Sequence, residues 1–246
     1  MTTSGHSYGI RLGRPVSRSM FHRAMGRDFG RLHPQLRRRF AVGLDSGQAC
    51  VGTGVMDRIW QGTRRTRPLL APFLALGERR HILVAEAGTA VPFRIDNHPY
   101  LDGYGRETVT FVRTFDLPRR PRRFDATMVY SEQRGGVVDY LGTHQHLAVD
   151  LHFAATADGA LEIRSGAYRM YAGPLGWRLP QPVAGQALVR ESFDDAAGVF
   201  RISVRVTNPV IGPVLGYTGT FTARYVDAAE RPAPASVRPV REQPRS

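Results

Sequence analysis

A chain of 246 residues with 42% hydrophobic and 22% charged residues can bury a full core and is too apolar to be disordered by default. Its formal charge of +13 is uneven: residues 1–80 hold 15 arginines against 4 acids, the rest 19 against 17, and no lysine occurs. No helix-turn-helix, zinc-finger or aromatic RNA-binding pattern accompanies the charge, so nucleic acid is not the expected partner, and the single cysteine, Cys50, excludes an internal disulfide.

The first twenty residues lack a signal-peptide apolar stretch, and no run of about 18 apolar residues occurs. A cytoplasmic protein with no membrane partner is therefore expected. Composition divides the chain into a flexible N-terminus (1–16), a single helix-plus-barrel domain (17–226) and a disordered tail rich in proline and arginine (227–246).

Helical signals occupy 17–41, where Pro34 sits at a tolerated first-turn position, and 68–77, a short apolar stretch broken by Pro72 and ended by Gly77. Gly47, Gly52 and Gly54 lack dinucleotide-loop spacing and a following helix. From about 81 to 226 the chain alternates with period two in eight strand-like segments, from "RETVTFVRTFDL" to "YTGTFTARYV". The breaks between them are short and turn-like, as at 134–136, 158–159 and 194–198, which joins antiparallel neighbours. The expected fold is mainly β (α+β): an antiparallel meander closing into a barrel of about eight or nine strands, lipocalin-like in architecture. The N-terminal helices would flank or cap it.

Two strands carry polar residues where the alternation predicts a special use. In 107–117 an apolar face of Val109, Phe111, Phe115 and Leu117 also holds Glu107 and Arg113. These charges need partners, a barrel-end location or a wet cavity. In 143–153 one face holds His144, His146, Asp150 and His152 behind an apolar face of Leu147, Val149, Leu151 and Phe153. A continuous strand would align the imidazoles for a proton relay, for a metal pair at His144 and His146, or simply as a solvated face. A metal would need a third ligand from Asp139, Asp150, Glu107 or His98. Tyr130 shares an apolar face with Phe124, Ala126 and Met128 and can offer its hydroxyl to a cavity.

The segments "FGRLHPQLRRRF", "VPFRIDNHPYLDGYGRETVTFVRTF", "RRFDATMVYSEQRGGVVDYLGTHQHLAVDL" and "LEIRSGAYRMYAGPL" resemble the bacterial domain of unknown function 4166 family, over roughly residues 20–226. The resemblance implies no reaction. The family often follows a dehydrogenase-like nucleotide-binding domain, which this chain has no room for. It raises Arg106, Glu107, Arg123, Asp125, Asp139, Tyr140, His144, His146 and Asp150 as positions to test.

The functional expectation is an enzyme needing no organic cofactor and no metal, acting on a hydrophobic small molecule held inside the barrel. Cyclisation, isomerisation or dehydration in bacterial specialised metabolism is the expected chemistry. Glu107, His146 or His144 would move protons, Arg113 would steady negative charge, and Tyr130, Phe111, Met128, Asp150 and Tyr140 would contact the ligand. The alternative is a non-catalytic carrier for a lipid or polyketide-like ligand. The basic N-terminal part, with Arg37–Arg39, is a candidate docking site for a protein partner.

Overall fold

The computed structural model describes residues 19–63, 65–84, 86–230 and 232–246; the segment read as a flexible N-terminus falls outside them. The described residues begin with α1 (Met20–Met25), a 3-10 turn over Gly26–Arg31 and α2 (Pro34–Phe40). Ser19 caps α1, accepting from the His22 N–H, and donates its hydroxyl to the Phe40 carbonyl, tying the two helices together. His33 caps α2, and Pro34 occupies the first turn, as the sequence predicts.

Eleven strands follow: β1 (Gln48–Gln61), β2 (Gly88–Leu101), β3 (Glu107–Asp116), β4 (Pro121–Ser131), β5 (Gly136–Leu141), β6 (Leu147–Ala155), β7 (Leu161–Ala172), β8 (Leu175–Arg178), β9 (Gln186–Asp194), β10 (Val199–Asn208) and β11 (Gly212–Asp227). Every pairing is antiparallel, and β1 pairs with both β2 and β11. The first part of β7 joins β6 to β9, while its last residues carry the short β8 as a side hairpin. Ten strands thus close into a barrel. The predicted barrel is correct in class and short by one or two staves, because β1 and β2, absent from the eight predicted segments, carry glycine and mixed polar residues that blur the alternation.

The N-terminal helices plug one end. Phe21 of α1 meets Phe40, Phe111 and Phe153 edge-on at 5.2, 5.9 and 5.7 Å, joining plug and barrel wall in one core. On β1, Gly52 and Gly54 leave space for the inward Ile95 and Phe221; a Cβ at Gly54 would fall 2.0 Å from the Thr220 carbonyl oxygen. Their role is close packing of the wall.

At the opposite end lies α3 (Arg67–Arg79), which runs two residues past Gly77. Gly77 does not end the helix; a Cβ there would lie 2.9 Å from the Leu83 side chain, so it is a close-packing position. The carbonyls of Arg80 and His81 accept from Thr143 and Asp125, which lays this segment against the ends of β4 and β5. Gly142, at φ 75°, makes the approach possible, since a Cβ would come 2.2 Å from the Arg80 oxygen.

Residues 232–246, read from composition as disordered, lie on the outer face of the barrel. The Val237 carbonyl accepts from Thr110, the Gln243 and Pro244 carbonyls from Arg106, and the Arg245 carbonyl from Tyr140. Gln145 accepts from the Gln243 N–H, and both glutamines are buried. The outward Thr108, Thr110, Tyr140 and Tyr171 are covered as a result. A proline-rich segment suits this place because it can lie extended without forming a ladder of its own.

Candidate ligand cavity

Between plug and mouth the barrel encloses a chamber of about 600 Å³. Its wall is overwhelmingly aliphatic and aromatic, with Phe111 and Met128 among the inward side chains. Three segments ring the opening: Ile82 and Leu83 beyond α3, Pro182 and Val183 before β9, and Val210 and Ile211 between β10 and β11. Val183 and Val210 are 68% and 71% exposed, so the apolar lining continues to the surface.

A small polar group sits within this apolar wall. Arg39, from α2, donates at 2.6 Å to Glu191 of β9 and at 2.8 Å to Asn97 of β2. Burial pushes the Glu191 carboxyl up, and the Arg39 guanidinium opposes it. Arg113 of β3 lies against the ring of Phe124 at 4.9 Å, and its buried Nε and Nη1 have no hydrogen-bond partner among the described residues. The buried Tyr217 hydroxyl of β11 is equally unpartnered, and burial raises its pKa.

Asp139 completes the group. It projects inward from β5 between Val137 and Leu141, opposite Met128 of β4 and Val149 of β6. Burial pushes its carboxyl up to about 7, against the opposing pull of the Arg113 charge and the Thr127 N–H. Its Oδ1 has no hydrogen-bond partner among the described residues. Tyr168 of β7 is raised in pKa by burial and interacts with the Asp139 charge. Ser165 and Tyr168 are three residues apart yet both face inward, because β7 bulges opposite Asp150 and shifts register there.

The other sequence candidates lie elsewhere. Glu107 points inward at the plugged end, where it accepts from the Leu44 N–H at 3.0 Å; it is a rim residue outside the cavity lining. Its pKa is raised by burial and lowered by that N–H. Tyr130 is also at this end, beneath Arg23 at 3.9 Å. His144 and His146 do not belong to a strand, since β6 begins at Leu147 and Gln145 takes φ 50°. They stack on each other at 5.9 Å on the outer side, and His146 Nδ1 is 2.8 Å from the Tyr171 carbonyl oxygen. His144 is held below the ordinary imidazole range by partial burial and the charges of Arg80, His146 and Arg241.

Asp150 is on the outer face in a two-bond pair with Arg169, and Tyr140 faces the C-terminal segment. His98 also alternates outward, opposite Thr110. Among the described residues no three His, Cys, Asp or Glu side chains converge to hold a metal ion. The basic cluster divides: Arg37 is exposed and Arg38 covers the Tyr225 ring at 4.1 Å, but Arg39 is interior and unavailable to a docking partner.

Arg113, Phe111 and Met128 reach the cavity, and so does Asp139, which the sequence offered as a metal ligand or a position to test. Glu191 and Tyr217 were missed but detectable by the same signal that singles out Arg113, since each interrupts an apolar face (Ala187/Val189, Leu215/Phe221), as Asp139 does between Val137 and Leu141. Tyr168 was hidden by the bulge, and Arg39 by its place on a short helix among exposed arginines.

These features define a closed antiparallel β-barrel with an apolar chamber and a compact set of buried polar groups. The chain belongs to the family described as Domain of unknown function (DUF4166), whose model matches residues 32–221. It is also similar to the uncharacterized protein YndH of Bacillus subtilis (strain 168), with 34% identity over 192 residues, covering 77% of this chain and 90% of that protein.

Proposed function

We propose that the protein takes a hydrophobic small molecule into the barrel and transfers a proton to or from it, with Asp139 as the acid or base. The observation that carries this reading is a buried carboxyl poised at about 7 inside an apolar chamber, facing an arginine with unpartnered N–H groups. A group of this pKa is divided between its two forms near neutral pH, so it can both accept and return a proton. Arg113 and Tyr217 supply donors to negative charge on the ligand, and the aliphatic wall excludes water. Isomerisation, cyclisation and dehydration all fit such a pair of functions. In this reading Asp139 takes the role first assigned to Glu107, His144 and His146.

The test begins with native mass spectrometry of freshly purified protein beside a Val204→Trp variant, which fills the chamber from β10. A bound organic mass is expected in the parent and not in the variant. Incubation with a metabolite extract then separates chemistry from carriage. An extract component altered by the parent and unaltered by Asp139→Asn supports proton transfer. Retention of an unchanged ligand by both proteins favours a carrier, a reading supported by the predominance of aliphatic groups in the wall.

A further inference from the structure

We infer that the ligand is a monoanionic amphiphile, with a carboxylate seated on Arg113 and Tyr217 and its apolar body extending toward the mouth. This inference deepens the cavity reading above and rests on it.

The hydrogen-bond inventory of the chamber is unbalanced. Glu191 is engaged by Arg39, so the Arg39 charge is met within the protein. Arg113 has no hydrogen-bonded acceptor among the described residues: its Nε and Nη1 are buried and unbonded, its face meets Phe111 and Phe124, and Asp139 and Glu191 reach it only through their charges. The nearby Tyr217 hydroxyl is unbonded as well. Buried N–H donors without an oxygen partner are costly, and a carboxylate supplies acceptor lone pairs for them together with a charge opposite to that of the guanidinium. Arginine is suited to this because its donors are fixed in a plane and it stays charged when desolvated. A cationic head would be repelled by Arg113 and could not accept from its N–H groups, and a neutral alcohol would offer those donors a single, uncharged oxygen.

The remaining wall specifies the other end of the molecule. From this polar group to Pro182, Val183, Val210 and Ile211 at the opening, the lining is chiefly hydrocarbon. A single anionic end and an extended apolar body match this division.

Asp139 makes recognition sensitive to pH. The groups facing it are Arg113 from β3, Tyr168 from β7 and the Thr127 N–H from β4. Tyr217 and the Arg39–Glu191 pair bear on Arg113 and so belong to the same electrostatic set. A ligand carboxylate beside Arg113 adds negative charge near Asp139 and favours its protonated form. Binding therefore takes up a proton, and affinity falls as pH rises through about 7.

The experiment is displacement of Nile red, a neutral apolar dye, by dodecanoate, dodecanol and dodecylamine. Dye uptake that Val204→Trp abolishes reports the cavity itself. Dodecanoate is expected to displace it at least about tenfold more effectively than dodecanol, with dodecylamine weakest. Arg113→Met should retain the dye and lose the acid-over-alcohol preference; Tyr217→Phe, a milder variant, should reduce it. Asp139→Asn should flatten the pH dependence of dodecanoate binding. Equal competition by acid and alcohol in the parent, or a preference that survives in Arg113→Met and Tyr217→Phe, overturns the inference while leaving the cavity reading intact. Absence of dye uptake overturns both.

Discussion

Asp139 and Glu107 are both acids on inward faces of strands, and their surroundings separate them. Glu107 finds a backbone N–H in the 41–47 loop, whereas Asp139 projects into hydrocarbon with one oxygen unbonded. Its stability consequence has a definite sign. The folded pKa of about 7 exceeds the ordinary carboxylate value, so between about pH 4 and pH 7 the folded state holds more proton than the unfolded state. Stability therefore falls as pH rises across that window, by on the order of 4 kcal/mol in total, and levels off above it. Asp139→Asn should unfold at a higher temperature than the parent at pH 8, with the two midpoints converging toward pH 4. A pH-independent difference in thermal melts would show that the carboxyl titrates normally.

At the scale of elements, α2 is held in the barrel by one charged contact as well as by apolar packing. Leu36 and Phe40 bury in the core, while Arg39 spans to Glu191 across 152 residues of sequence. Removing one partner of a buried pair leaves the other charge uncompensated, at a cost of about 3–5 kcal/mol. Arg39→Met should lower urea stability by about that amount, and Arg39→Met with Glu191→Leu should recover most of it. If the double variant were as unstable as the single one, packing of the long arginine side chain would be the real contribution. The histidine segment is an element-scale lesson too. The periodic pattern through 143–153 predicts one strand, but the Gln145 amide is drawn under the C-terminal segment, and its left-handed backbone ends the alternation before Leu147.

For the whole molecule, closure is the decisive act. β1 pairs with β11, so residues 48–61 wait for residues 212–227 before the last edge disappears. A chain ending at residue 211 should show no cooperative urea transition by tryptophan fluorescence and should expose apolar surface to dye. A sharp transition in that truncated chain would mean that the open sheet, with its plug, is stable alone. Closure also creates the cavity, since its lining comes from α2, the segment beyond α3 and nearly every stave of the barrel.

Much of this was legible in the residues themselves. Period-two alternation with short turns determined an antiparallel meander, and Pro34 with its flanking helix formers determined a helix at the plug. The mixed faces identified Arg113, Phe111 and Met128 as inward, because a strand's alternation is local geometry and needs no partner. Three matters were left to tertiary structure: which inward positions lie at the rim and which in the chamber, where bulges reset the parity, and what covers the outer face. Each depends on groups distant in sequence. The N–H that engages Glu107, the helix that brings in Arg39 and the C-terminal segment that takes up Gln145 and Tyr140 meet their partners only when the barrel closes and the chain's ends pack against it.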